Sequence, residues 1–279
     1  MNTRASRGIG YYVNLYRATL RLSFALMMQY RFGVLIWAVW GFVGPLVSLS
    51  VWTAATSSRG GAITGGGATY DRADFAAYFL TMMVFTHITM SWDAFEFGWR
   101  VRTGALSPLL LRPTHPIHQD ASRNVGFKVV SSLMLLPTWL ALVWILKPTM
   151  PASAASFALA MPALALAAVT RYVLQYALAA LAFWTTRVEA VQQLYFTTDA
   201  FLGGRIAPMA LLPGWLGAIS IWLPFHSLGA FPVELALGRV PPDRIVLGFA
   251  SQIVWVGLSV ALLNVVWRAG IKQYSAVGA

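Results

Sequence analysis

The positions whose residue types could do chemistry are four histidines, one glycine-rich stretch, and an arginine and an aspartate set in apolar surroundings. A protein metal site needs three or four converging donors. His87, His115, His118 and His226 are scattered along the chain. His115 and His118 stand three apart but have no complete ligand set beside them, so they read as solvent-facing loop residues. The chain has no cysteine, which removes thiolate ligands, a cysteine nucleophile and any disulfide framework. Neither HExxH nor GxSxG occurs, and nothing selects a serine–histidine pair. The stretch RGGAITGGG, Arg59 to Gly67, has the composition of a phosphate cradle. It lacks the lysine and hydroxyl residue of GxxxxGK[ST], so it reads as an outward flexible loop. Arg171 and Asp199 remain, and what they can do depends on the medium around them.

That medium is lipid. Of 279 residues 58% are hydrophobic and 10% charged, with a mean hydropathy of +0.65. A soluble domain of this size buries one core, but it cannot hide several charge-free runs of about 20 residues, the length that spans a bilayer. A soluble enzyme is excluded. The net charge of +11 would suggest nucleic acid in a soluble protein. Here the basic residues gather in short loops beside apolar runs, so the charge reports membrane orientation and no nucleic-acid partner. Arg4, Arg7, Arg17, Arg21 and Arg31 delay the first charge-free run to Phe32, which makes that run an anchor and no cleaved signal.

The expected architecture is an all-α membrane protein, one permease domain over residues 1–279, with six transmembrane helices and both termini cytoplasmic. Val13, Tyr16, Leu20, Phe24 and Met27 recur at helical spacing, with Asn14, Arg17 and Arg21 on another face. They make residues 1–31 either an N-terminal interfacial helix or a solvated start to the first crossing. Crossings are expected at Phe32 to Thr53, Phe75 to Trp92, Val129 to Leu146 with a kink at Pro137, Ala155 to Trp184, a fifth from Val191, and Ile245 to Trp267. Between the second and third lies the inner loop 98–124, where Arg100, Arg102, Arg112, Arg123 and Lys128 outnumber Asp93, Glu96 and Asp120. The fifth helix meets Gly203, Gly204, Arg205 and Pro208 and should break. Beyond it Pro213, Pro224, Gly238 and Pro241 bound apolar pieces too short to span, which gives an outer re-entrant hairpin over 201–238.

A charge near the bilayer centre costs at least about 2.5–3.5 kcal/mol. Arg171 lies 13 residues from the inner end at Trp184 and Asp199 about 8 from Val191, depths of about 20 and 12 Å at about 1.5 Å per residue. The two could pair across helices four and five. Equally, Arg171 could bind backbone carbonyls and serve packing alone.

Three stretches resemble the type-two ABC exporter permeases, in particular the bacterial branch that includes viologen and drug exporters. FLGGRIAPMALLPGWLGAISIWLPF with FPVELALG, Phe201 to Gly238, is similar to that branch's broken fifth helix and outer hairpin. RTGALSPLLLRPTHP, Arg102 to Pro116, resembles the loop that docks into the partner ATPase, and RYVLQYALAALAFW, Arg171 to Trp184, fits the family's intramembrane arginine. The resemblance implies an ABC ATPase dimer as a separate subunit holding ATP and Mg, no cofactor in this chain, a second permease chain of the same or another kind, and a bacterial inner (plasma) membrane. It further implies a coupling element in which Gly104 bends the chain, Leu106, Leu109 and Leu111 offer an apolar contact, Arg112 faces an acidic partner surface and Pro113 ends the element. The same leucines would also suit an amphipathic helix lying on lipid. Trp37, Trp40, Phe79 and Phe85 could meet a flat or cationic substrate, or simply pack. A non-transporting membrane scaffold or assembly factor would share the hydropathy but need no coupling element.

Overall fold

The computed structural model describes residues 8–149, 153–185 and 187–274. Arg4 and Arg7 lie outside the described residues, as do the side chains of Arg31, Trp37 and Trp40. The chain is predominantly helical. Helix α1 (Ile9–Gln29) runs into α2 (Arg31–Ser58), a two-stranded hairpin follows (β1, Ala62–Gly65; β2, Ala68–Asp71), and then α3 (Arg72–Thr89). The short α4 (Asp93–Arg102) and α5 (Ser107–Leu110) lead to the long α6 (Pro116–Leu146), α7 (Ala154–Ala179) and α8 (Val188–Leu202). Three short helices follow, α9 (Gly214–Ser220), α10 (Pro224–Leu228) and α11 (Ala230–Ala236), before α12 (Pro242–Gly270).

Among the described residues three helices are long and apolar enough to cross a bilayer: α6, α7 with its 3-10 extension to Phe183, and α12. Large apolar side chains stand on their outsides. Leu133, Trp144, Ile253 and Val265 are each more than 60% exposed, a pattern that water would penalise and hydrocarbon does not. The protein is embedded in the membrane.

Helix α3 forms the centre. It is apolar all round, and such helices are buried. Phe75, Tyr78, Phe79, Met82 and Met83 are each at most 2% exposed. Its start is fixed by a capping box, with the Asp74 amide donating to Asp71 Oδ1 at 2.8 Å and the Asp71 amide to Asp74 Oδ2 at 3.2 Å. Helix α12 lies along α7. There Gln252 Nε2 donates to the Ala163 carbonyl at 2.9 Å and the Ser227 carbonyl at 2.8 Å, tying α12 to both α7 and α10.

Several elements depart from the sequence reading. Arg59 to Gly67 is not a flexible loop, because most of it belongs to the β1–β2 hairpin, with Ile63 opposite Tyr70 and Gly65 opposite Ala68. Gly66 and Gly67 have φ of 54° and 80°, and two positive φ values in succession are what the tightest hairpin turns require. The glycines there build a turn. Helix α6 begins at Pro116 and not near Val129, since proline suits the first helical position and His115 Nδ1 accepts from the Ile117 amide at 3.2 Å. It then runs unbroken through Pro137. The segment 98–124, expected as an inner loop, is therefore helical at both ends, its connection narrowing to Thr103–His115 around α5.

Candidate functional site

Arg171 sits on the face of α7 that Ala163, Ala167 and Leu174 bury, where small residues let neighbouring backbones come close. On α8 the buried face is Val188, Gln192, Tyr195 and Asp199, at three- and four-residue steps. The two faces meet. Arg171 Nη1 donates to Asp199 Oδ2 at 2.7 Å, with the two side chains 1% and 0% exposed. Arg171 Nη2 also donates to the Leu228 carbonyl on α10 at 3.3 Å. Arg171 thus makes both an ion pair and a backbone-carbonyl contact. Arg205 adds a longer contact to Asp199 Oδ2 at 3.4 Å. In so dry a setting the attraction between the charges is what offsets their lost hydration.

Helix α8 ends where side chains no longer fit. A Cβ on Gly203 would lie 2.5 Å from the Asp199 carbonyl oxygen, and one on Gly229 would strike the Gly203 carbonyl. Gly204 has a φ of 80° and its carbonyl accepts from the Tyr78 hydroxyl at 2.9 Å, so the break is held against the central helix α3. Pro208 then precedes the 3-10 turn Met209–Leu211, Pro213 precedes α9, and Pro224 is the buried first residue of α10. The β-hairpin closes over this end. Gly66 lies against the Ala210 carbonyl, and Arg239 stacks 4.3 Å from the Tyr70 ring centroid while pairing with Asp74 at 2.7 Å.

At the far end of α7 a second charge cluster forms. Arg100 Nη1 donates to both Asp120 oxygens at 2.9 and 3.0 Å, and its Nη2 pairs with Glu96 at 2.8 Å. Arg123 reaches Glu96 at 2.6 Å and Asp120 at 3.3 Å. The Tyr176 hydroxyl of α7 donates to Asp120 at 3.0 Å, and Asn124 donates to Asp93 at 3.0 Å. This network joins α4, α6 and α7. Burial pushes the Glu96 carboxyl up, but hydrogen bonds and charge from Arg100 and Arg123 outweigh it and hold the group below its ordinary value. Asp93 is held above its ordinary value by burial and by the neighbouring Asp120 charge. In the sequence these residues read only as a charge balance. The signal present was the spacing of Asp93, Glu96 and Arg100 at three and four residues, one helical face.

The residues expected to form the coupling element divide sharply. Gly104, at φ 75°, turns the chain after α4. Leu106 is fully buried among Phe97, Val101 and Tyr176, so it holds the element to its own chain and offers nothing to a partner. Leu109 is half-buried, Leu111 is 88% exposed, and Pro113 is exposed. Arg112 is exposed and donates to Gln119 Oε1 at 2.7 Å. Phe79 and Phe85 lie inside the core, 1% and 6% exposed, and so cannot meet a substrate in this state. Among the described residues no group of three or more His, Asp or Glu is arranged to hold a metal. His87 bonds to Ser131 at 2.9 Å, and His118 packs 4.8 Å from the Tyr12 ring.

The family model for ABC-2 family transporter proteins matches residues 42–278. The chain belongs to that family. It is a membrane permease subunit of an ABC transporter, a class of chain that is not itself the ATPase. No curated protein matches the chain significantly. The matched range takes in the α7–α8 ion pair, the α8 break and the exposed turn of the permease from Leu111 to Pro113.

Proposed function

We propose that this permease is one half of the membrane pathway of an ATP-driven exporter in a bacterial inner membrane, of the type that includes viologen and drug exporters. A dimer of ABC ATPase subunits, binding ATP and Mg, drives it, and a second permease chain, identical or different, completes the path. The six crossings are α2, α3, α6, α7, α8 with its outer return through α9–α11, and α12. Both termini are cytoplasmic and α1 lies along the inner interface. Helix α8 has 15 residues, about 22 Å at about 1.5 Å per residue, short of a hydrocarbon core of about 30 Å. A return of the chain at its outer end is consistent with that length.

The observation that carries this reading is a continuous rigid route from the exposed turn to the buried ion pair. Leu106 anchors the turn beneath α4. Helix α4 bears on α8 directly: a Cβ on Gly98 would lie 2.6 Å from Val188 Cγ1, and Arg102 pairs with Glu189 at 2.6 Å. Asp199 lies three turns farther along α8 and meets Arg171. A push on Leu111, Arg112 and Pro113 by a closing ATPase dimer would thus move α8 as a lever, and the Gly203–Gly204 break is the point where an outer gate could yield.

A photo-crosslinking residue at position 111 tests this. Crosslinking to a P-loop ATPase, reduced several-fold by Arg112→Glu, is the expected outcome. Crosslinking only to lipid would place the turn on the membrane surface, and crosslinking to a protein without a P-loop would favour a scaffold or assembly factor.

A further inference from the structure

A cavity of about 600 Å³ lies between the second half of α1 and the starts of α4 and α6, within the range of about 300–1,000 Å³ common to small-molecule sites. Helix α1 is pressed onto α6 at Gly126, where a Cβ would meet the Ser23 side chain at 2.7 Å, and the cavity lies alongside this crossing. One wall is apolar: Leu22, Leu26 and Met27 of α1, with Leu22 60% and Leu26 47% exposed. The opposite wall is the charge network of α4 and α6, and Lys128 stands on the same helix a turn beyond Arg123 and Asn124.

Counting charges decides what would fit. The network holds three carboxylates, Asp93, Glu96 and Asp120, against two guanidiniums, Arg100 and Arg123, and so carries one surplus negative charge. Lys128 makes no ion pair among the described residues, and its Nζ is 5.7 Å from the Phe127 ring centroid. The lining is therefore dipolar, with a lone ammonium at one place and an excess of carboxylate at another, facing a wall of leucine and methionine. Trp92 and Trp99, each 53% exposed, also line the cavity, and such indoles favour the headgroup level of a bilayer.

We propose that this cavity binds a zwitterionic phospholipid bearing a primary ammonium. Its phosphate accepts from Lys128, its ammonium donates to the Glu96 and Asp93 carboxylates, and an acyl chain lies along Leu22, Leu26 and Met27. An anionic headgroup would satisfy Lys128 but oppose the surplus carboxylate. The site needs only membrane residence and does not depend on the exporter reading.

The test is native mass spectrometry of the full chain, released from detergent mixed with phosphatidylethanolamine, phosphatidylglycerol or glycerophosphoethanolamine. Phosphatidylethanolamine should be retained about tenfold more tightly than phosphatidylglycerol, a difference of the size that one charge-assisted contact supplies. Lys128→Gln should lose that retention, Lys128→Arg should keep it, Glu96→Gln should bring the two lipids close to parity, and Leu26→Trp should exclude lipid by filling the cavity. Melting curves for Lys128→Arg and Leu26→Trp separate loss of the site from loss of the fold. Equal or tighter retention of phosphatidylglycerol, unchanged retention in Lys128→Gln or Leu26→Trp, or displacement of the lipid by equimolar glycerophosphoethanolamine would each overturn the proposal.

Discussion

The two charge clusters on α7 are built from the same side-chain types and comparable distances, yet they are held in opposite ways. At Arg171 the whole arrangement hangs on one carboxylate oxygen, with both side chains at most 1% exposed. At Arg100 and Arg123 three carboxylates are shared between two guanidiniums, and Arg123 is 41% exposed. Sharing among three carboxylates, with water at Arg123 and Glu96, makes the second cluster tolerant, whereas the first rests on a single buried carboxylate. A dry pair that rests on one carboxylate is therefore a brittle element that suits a position that must exist in discrete states. A wet network suits a surface that must stay intact while load passes across it.

Removing one partner of the dry pair should produce the largest effect. Asp199→Leu leaves Arg171 buried with only the Leu228 carbonyl, and should cost about 3–5 kcal/mol in denaturation of the detergent-solubilised chain. Arg171→Met combined with Asp199→Leu should recover most of that loss. A cost under about 1 kcal/mol for the single change would erase the contrast between the clusters.

Next in size, Gly204→Ala forces a non-glycine residue to φ 80° against Ala230 and the Tyr78 hydroxyl. It should destabilise the chain by about 1–3 kcal/mol, measured in the same way, and shows whether the α8 break is as rigid as the ion pair beside it.

In the wet network, Arg123→Gln should change stability by no more than about 1 kcal/mol, because Arg100 still holds Asp120 and Glu96. Arg100→Met should cost more, about 1–3 kcal/mol, since Asp120 is 3% exposed and loses two hydrogen bonds. Equal effects would mean that redundancy is not what distinguishes the cluster.

The smallest effect is on pH. Glu96 is held below its ordinary value of 4.5 in the folded chain, so as pH falls the unfolded chain takes up the proton first. Its contribution is present above about pH 4.5 and is lost as pH drops through the lower folded value. Melting temperatures of wild type and Glu96→Gln at pH 7 and pH 4 check the sign: the wild type should lose more of its advantage on acidification.

Much of this arrangement is written locally. The α8 break follows from adjacent glycines before Pro208, and the charge-free apolar run Ile245 to Trp267 brackets α12 to within a few residues at each end. Depth counting puts Arg171 and Asp199 at about 20 and 12 Å, a gap that an arginine side chain can bridge, although the counted stretch passes from α-helix into a 3-10 helix at Ala180. What stayed hidden needed tertiary context. Gly66 and Gly67 look like flexibility until their φ values are known, and only then do they specify a turn. Leu106, Leu109 and Leu111 are equivalent as letters, and it is packing against Phe97 and Tyr176 that takes Leu106 out of reach. Asp93 and Glu96 lie on α4 and Asp120 on α6, so the sequence shows a charge balance and not the network that joins the two helices.

The central claim is that this permease works with a separate ATPase, and purification of the chain from its native membrane in mild detergent tests it most directly. Co-purification of a P-loop ATPase with vanadate-sensitive ATP hydrolysis, lost on Leu111→Asp, is the predicted result. Recovery of the chain without any P-loop subunit, even after crosslinking in the intact membrane, would contradict the account.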